Sequence, residues 1–257
     1  FGGVSYAADE RLAEHLSQHY GVDADSLLQA FNSGVPQNTA AAWKFLPGTL
    51  SEVFHIADQL AANNREPILF TGAAASEEQF KKLTGSMAPQ ILHVATHGFA
   101  IPIESKKTAY QIFENSFVEN NNPLFRTGLL LAGASRIWDK APAIPGIEDG
   151  ILTAYEVSNL DLRNTRLVVL SACETGLGDV KGSEGVYGLQ RAFKMAGVPY
   201  VIASLWPVPD KETAVFMQLF YKNLLKTKDV RTAFAKTQKS MRKKYEPYYW
   251  AAFVLVE

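Results

Sequence analysis

The chain has a single cysteine, Cys173, so it can form no internal disulfide. That scarcity fits a reducing compartment, and a cytoplasmic location is expected. It also argues against a structural zinc site. No His, Cys and Asp cluster has metal-ligand spacing, so no metal is expected. Long apolar runs are missing too, none approaching the roughly 20 residues that a membrane-spanning helix needs, so no membrane partner is expected. There is no excess of charge of either sign: 25 Lys and Arg stand against 26 Asp and Glu, a net charge of −1. Nothing in that balance points to nucleic acid or to an anionic surface. The one compact basic run, Arg242-Lys243-Lys244, reads as a solvated helix end. A G-x-S-x-G nucleophile elbow and a P-loop are both absent. Gly176 to Gly182 spells G-x-G-x-x-x-G, one residue off the dinucleotide fingerprint and too far from its strand for the tight turn. No cofactor is therefore expected.

What remains is an ordinary globular composition, with 47% hydrophobic and 20% charged residues in 257. That length is enough for one large domain. The sequence opens at Phe1, not Met, inside the strand-like run Gly3-Val4-Ser5-Tyr6, and is expected to be a trimmed piece of a longer chain. Residues 1–42 are expected to form a strand-and-helix appendage packed on the core, with 43–257 as the main domain.

The elements follow from periodicity and punctuation. Residues 1–7 read as a strand, and 9–33 as helical, with Leu12, Leu16, His19 and Tyr20 on one face. Pro47-Gly48 reads as a breaker before a helix carrying Val53, Ile56, Ala57 and Leu60. Ser76 is placed to cap a helix to about Leu83, with Gln79 as its capping-box partner. Ile91 to Ala95 is a short uncharged strand ending at Thr96-His97-Gly98. Residues 99–127 read as an irregular excursion, Gly128 to Gly133 as another short apolar strand, and 134–150 as a long loop. Leu152 to Val157 reads as a helix start, and Leu167 to Leu170 as a buried strand ending at Ser171-Ala172-Cys173. Ser183 is placed to cap the next helix. Tyr200 to Ala203 is a strand, Asp210 and Asp229 are placed to cap two further helices, and Phe253 to Val256 closes the chain as a strand. Short apolar strands alternating with amphipathic helices predict a mostly parallel sheet covered on both faces.

Ligands of open α/β sheets gather beyond the C-terminal ends of the strands. His97 and Cys173 both fall at such ends, 76 positions apart in sequence. A thiol within reach of an imidazole is a nucleophile and its base, and the thiolate is the attacking form. Gly98 lets a backbone N–H approach a substrate oxygen closely. His15, His19, His55 and His93 fall within predicted helices or inside a strand and are poorer candidates.

The segment from Ile91 to Gly98 resembles the histidine motif of CHAT domains, which belong to the caspase and separase clan of cysteine peptidases. The run LVVLSACETGLG, residues 167–178, resembles the cysteine motif of the same family. The likeness continues through 182–210 and 247–257, and upstream in 148–162 and 43–53. The resemblance implies a caspase-like three-layer α/β/α sandwich, a Cys173–His97 dyad, and an oxyanion hole from the backbone N–H groups of Cys173 and Gly98. It implies a protein or peptide substrate, and a tetratricopeptide-repeat or other sensor domain N-terminal to this one. The caspase pattern Q-A-C-[RQG]-G is not present, since Ser171-Ala172-Cys173-Glu174-Thr175-Gly176 shares only Ala-Cys. Ser171 stands where clan members that select basic side chains carry an acid. Ser204 and Trp206 resemble the Ser-Trp strand that pairs with substrate, although Trp206 before Pro207 also suits a core position. Asp149 and Asp210, with Glu148 beside the first, are candidates for a pocket that favours Arg or Lys. Two alternatives to a peptidase stand at this point: a catalytically silent scaffold of the same fold, and a different thiol acyl chemistry such as acyl transfer or ester hydrolysis.

Overall fold

The computed structural model describes residues 1–32, 43–101, 122–138, 141–171 and 184–257. In chain order the helices are α1 (Glu10–Tyr20), α2 (Ala24–Asn32), α3 (Pro47–Ala61), α4 (Glu77–Lys81), α5 (Ala134–Trp138), α6 (Ala154–Ser158), α7 (Glu184–Met195), α8 (Asp210–Thr227), α9 (Val230–Met241) and α10 (Pro247–Trp250). The strands are β1 (Ile91–Val94), β2 (Gly98–Ala100), β3 (Thr127–Leu130), β4 (Ile151–Thr153), β5 (Leu167–Leu170), β6 (Tyr200–Ser204) and β7 (Phe253–Val256).

Four strands form the main sheet in the order β1-β5-β6-β7. β1 runs parallel to β5 and β5 to β6, while β7 pairs antiparallel with β6. A second, antiparallel sheet has the order β2-β3-β4. Side chains of β5 alternate between two cores, as the period of two requires. Leu167 and Val169 pack with Ile56 of α3, Phe216, Phe220 and Tyr221 of α8, and Phe234 of α9. Val168 and Leu170 face the other core, with Leu189 and Phe193 of α7 and Leu12 and Leu16 of α1. A strand buried on both faces has no solvent side to mark with polar residues, which is why this one reads LVVL. The result is the three-layer α/β architecture that the sequence predicts. Phe216 stacks on Phe253 with ring centroids 4.1 Å apart. Each such buried aromatic is worth about 1.5–3 kcal/mol of transfer free energy.

Several local expectations are corrected. The helix read over 9–33 is two helices, because Gly21 takes a left-handed φ of 68° and its N–H closes on Ser17. Pro47 does not precede α3 but opens it at the first helical position, where its missing N–H leaves nothing unmet. Leu152 lies in β4. The helix starts at Ala154 because Thr153 is extended and makes a reciprocal capping box with Glu156. The loop read over 134–150 contains α5, and the excursion over 99–127 begins in β2 and ends in a 3-10 turn at Pro123–Phe125 and the start of β3. The strand expected at 1–7 is a single parallel bridge, Val4 to Gly72. Asp210 is the first residue of α8, not its cap. Pro209 holds the cap position without a side-chain bond. Ser76 and Asp229 cap α4 and α9 as expected, accepting from the Gln79 and Thr232 amides. The expected Ser183 cap lies outside the described residues.

Two sets of polar contacts fix the parts that reach the site. The N-terminal run is tied between β1 and residues 70–72: the Ala95 N–H donates to the Phe1 carbonyl at 2.9 Å and the Gly72 N–H to the Gly3 carbonyl at 2.9 Å. The side chain of His93 in β1 meets Glu52 of α3 at 2.8 Å through Nε2 and the Tyr221 hydroxyl of α8 at 3.1 Å through Nδ1. One side chain thus locks a strand to both covering helices.

Candidate active site

Three residues beyond the end of β1, His97 lies at the C-terminal edge of the parallel strands, 5% exposed. Its Nε2 is 2.9 Å from the Lys44 carbonyl. A carbonyl only accepts, so Nε2 carries the proton and Nδ1 the lone pair. The imidazole lies between two aromatic rings, with centroid distances of 5.0 Å to Tyr6 and 4.9 Å to Trp43. Burial lowers its pKa below the usual histidine range, opposed by the Lys44 carbonyl and by the charge of Asp210. The neutral form is therefore favoured near pH 7, as a proton acceptor requires.

The backbone here is as tightly held as the ring. The His97 N–H donates to the Tyr6 hydroxyl at 3.2 Å, which lies 2.8 Å from Thr96 Oγ1. Thr96 in turn donates to the Leu130 carbonyl, and the Leu130 N–H returns to the His97 carbonyl at 2.9 Å. Along β2 the bonds from Leu130 to His97 and from Ile101 to Arg126 mark the odd-numbered residues as the ones that face β3. By the alternation of an antiparallel ladder, the Gly98 N–H turns away from β3, toward the opposite edge of β2.

The other predicted residues fall in three places. Ser171 continues β5, its N–H donating to the Val94 carbonyl at 2.9 Å, which extends the parallel pairing of Val94 with Leu170. Ser204 ends the neighbouring β6, and its buried Oγ has no hydrogen-bond partner among the described residues. Both serines lie on the edge where His97 lies. Trp206, half-buried two residues further on, donates its indole N–H to the Tyr248 carbonyl at 2.9 Å. Asp210 is exposed at the start of α8, and its charge acts on His97. It also abuts the start of α3. A Cβ built on Gly48 would come within 2.7 Å of Asp210 Cβ, so only glycine lets these two helix ends meet.

Asp149 sits in a different group. Its carboxylate accepts from the Ile151 N–H at 2.8 Å. Burial pushes its pKa up to about 6, aided by Glu156 and Glu148 and opposed by the Ile151 N–H and Lys81. Next to it, Lys81 Nζ lies 2.7 Å from Glu77 and 2.8 Å from both Glu148 and Glu156. These three carboxylates are close enough together to hold a metal ion, and the Lys81 ammonium occupies that role. Cys173 lies outside the described residues. Sequence reasoning missed Tyr6, Trp43 and Lys44. Tyr6 ends the strand-like run Gly3-Val4-Ser5-Tyr6 much as His97 follows one, and that was the available signal. The Lys44 carbonyl, a backbone group, left none.

The CHAT domain family matches residues 3–257, and the chain belongs to that family, which is peptidase-like. Two relatives are both called Tetratricopeptide repeat protein 28. The mouse protein is 28% identical over 229 residues, 83% of this chain and 9% of that protein. The human protein is 27% identical over 261 residues, 94% of this chain and 10% of that protein. The chain thus spans about a tenth of the length of the relatives it matches. Among the described residues no helix is long and apolar enough to cross a membrane.

Proposed function

We propose that the chain is a cysteine endopeptidase in which Cys173 attacks a peptide carbonyl and His97 moves the proton. The observation that carries this reading is the state of His97. It lies at the C-terminal edge of the parallel sheet, and its Nε2–H donates to the Lys44 carbonyl, so Nδ1 is the nitrogen whose lone pair can take a thiol proton. Register supports the pairing: Val94 is opposite Leu170, and His97 and Cys173 each follow that pair by three residues.

In the cycle, Nδ1 takes the thiol proton and the sulfur bonds to the carbonyl carbon. The backbone N–H groups of Gly98 and Cys173 hold the oxyanion, one such donor being worth roughly 3–4 kcal/mol of barrier. Collapse breaks the C–N bond as His97 returns the proton to the leaving amine. Water then attacks the thioester, giving its proton to His97, and the acid leaves as the thiol is restored. Ser171, Ser204 and Trp206 are the candidate walls for the substrate. Of the two acidic candidates, Asp210 is the one whose charge reaches His97, whereas Asp149 keeps company with Lys81. A tetratricopeptide-repeat sensor N-terminal to this domain is the proposed regulator, supported by the names of the relatives.

The test is a diverse peptide library incubated with the chain and with Cys173→Ala and His97→Ala, cut sites being read by mass spectrometry. Cuts that vanish in both variants are expected. Cuts at an undiminished rate in either variant refute the dyad. No cuts, together with a thiol that resists a peptide-like electrophile, favour the silent scaffold.

A further inference from the structure

We propose that the Tyr6 hydroxyl, acting with Thr96, is a positioning group for the Cys173–His97 chemistry: it replaces a β-ladder bond and thereby sets where His97 and the Gly98 amide point. This rests on the reading of His97 as the base.

In a regular antiparallel ladder, residues 97 and 130 would exchange two hydrogen bonds. Only one is made, from the Leu130 N–H to the His97 carbonyl. The other pair of groups is bridged by two hydroxyls. The His97 N–H donates to Tyr6, and the Leu130 carbonyl accepts from Thr96. Proton arithmetic then fixes the direction. Thr96 has one hydroxyl proton and gives it to Leu130, so Tyr6 donates its own to Thr96 and accepts from His97. Two inserted hydroxyls hold the chain at His97 away from β3, at the point where the imidazole must project.

Packing alone does not call for this chemistry. Tyr6 is 3% exposed and Thr96 1%. A core that needed only their volumes would be filled by Phe and Val without desolvating two hydroxyls. The same tyrosine ring also flanks the imidazole. One residue therefore holds both the backbone and the ring of the base, while the Lys44 carbonyl holds Nε2. With the His97 amide satisfied by Tyr6, the next amide, that of Gly98, is the one directed away from the ladder.

The experiment uses the single cysteine of the 257-residue chain. Alkylation of Cys173 by iodoacetamide is followed by mass from pH 5 to 9 in the parent chain, Tyr6→Phe, Thr96→Val, Thr96→Ser and His97→Ala. Hydrogen exchange at the His97 amide and thermal melting are measured alongside. Tyr6→Phe keeps the ring. It is expected to slow alkylation at pH 7 by about 10- to 100-fold, the effect of a small misplacement of a catalytic group, and to speed exchange at His97. Thr96→Val is expected to do the same, and Thr96→Ser to restore the parent profile. A parent-like profile and exchange rate in Tyr6→Phe overturn the positioning role, whatever becomes of the dyad. An unchanged profile in His97→Ala overturns instead the dyad on which the role rests. If Tyr6→Phe melts below the assay temperature, Thr96→Val against Thr96→Ser decides.

Discussion

Replacing Glu52 by Ala tests whether the polar contact that locks β1 to α3 and α8 holds the fold together. The Glu52 and His93 side chains are only 4% and 9% exposed, with 2.8 Å between carboxylate and Nε2. The other ring nitrogen is committed to Tyr221, which is wholly buried. Removing one partner of a buried charged pair costs about 3–5 kcal/mol, and of a buried neutral hydrogen bond about 1–3 kcal/mol. For a domain of this size each kcal/mol moves the melting temperature by about 2–4 °C. The charged case therefore predicts a fall of roughly 6–20 °C in Tm. Glu52→Gln, which keeps the shape and one acceptor, is expected to lose clearly less. Urea titration at pH 7 measures the free-energy difference, and calorimetry the Tm. A loss below about 0.5 kcal/mol for Glu52→Ala, too small for any buried hydrogen bond, refutes the argument. A double change, Glu52→Leu with His93→Phe, is expected to recover much of the loss, because it leaves no buried polar group alone.

Asp149 gives a pH signature. Its folded-state pKa of about 6 lies above the unfolded 3.8, so the folded chain binds that proton more tightly. The stabilisation is complete below pH 4 and is lost as pH rises to 6. Asp149→Asn should flatten the slope of stability against pH in that window and raise stability at pH 7. An unchanged slope by denaturant titration at several pH values contradicts this. At the junction of α3 and α8, Gly48→Ala is expected to lose about 1–3 kcal/mol, since the new methyl meets the Asp210 side chain. A neutral result in urea would mean that the two helix ends separate freely.

The layers of the fold were legible because burial on both faces leaves so plain a mark: LVVL in β5 admits little but a central strand. Helix ends were legible where a side chain supplies the cap, as with Ser76 and Asp229, and illegible where backbone geometry decides, as at Pro47 and Pro209. Leu152 was misread because a three-residue strand followed at once by a helix offers no period to recognise. At the site, His97 announced itself by residue type and position. Its neighbours did not, because Tyr6, Trp43 and Lys44 come from distant segments, and one of them acts through its main chain. Asp149 and Asp210 look alike in sequence. Their surroundings, Lys81 for one and His97 for the other, exist only in three dimensions.

The cage around His97 draws on residues 6, 43, 44, 96 and 130, so most of its contacts close long loops of chain. Contacts of that range form late in folding, after their loop entropy has been overcome. All of these residues precede Cys173, so the chain has made every part of the cage before it makes the thiol that the base would serve.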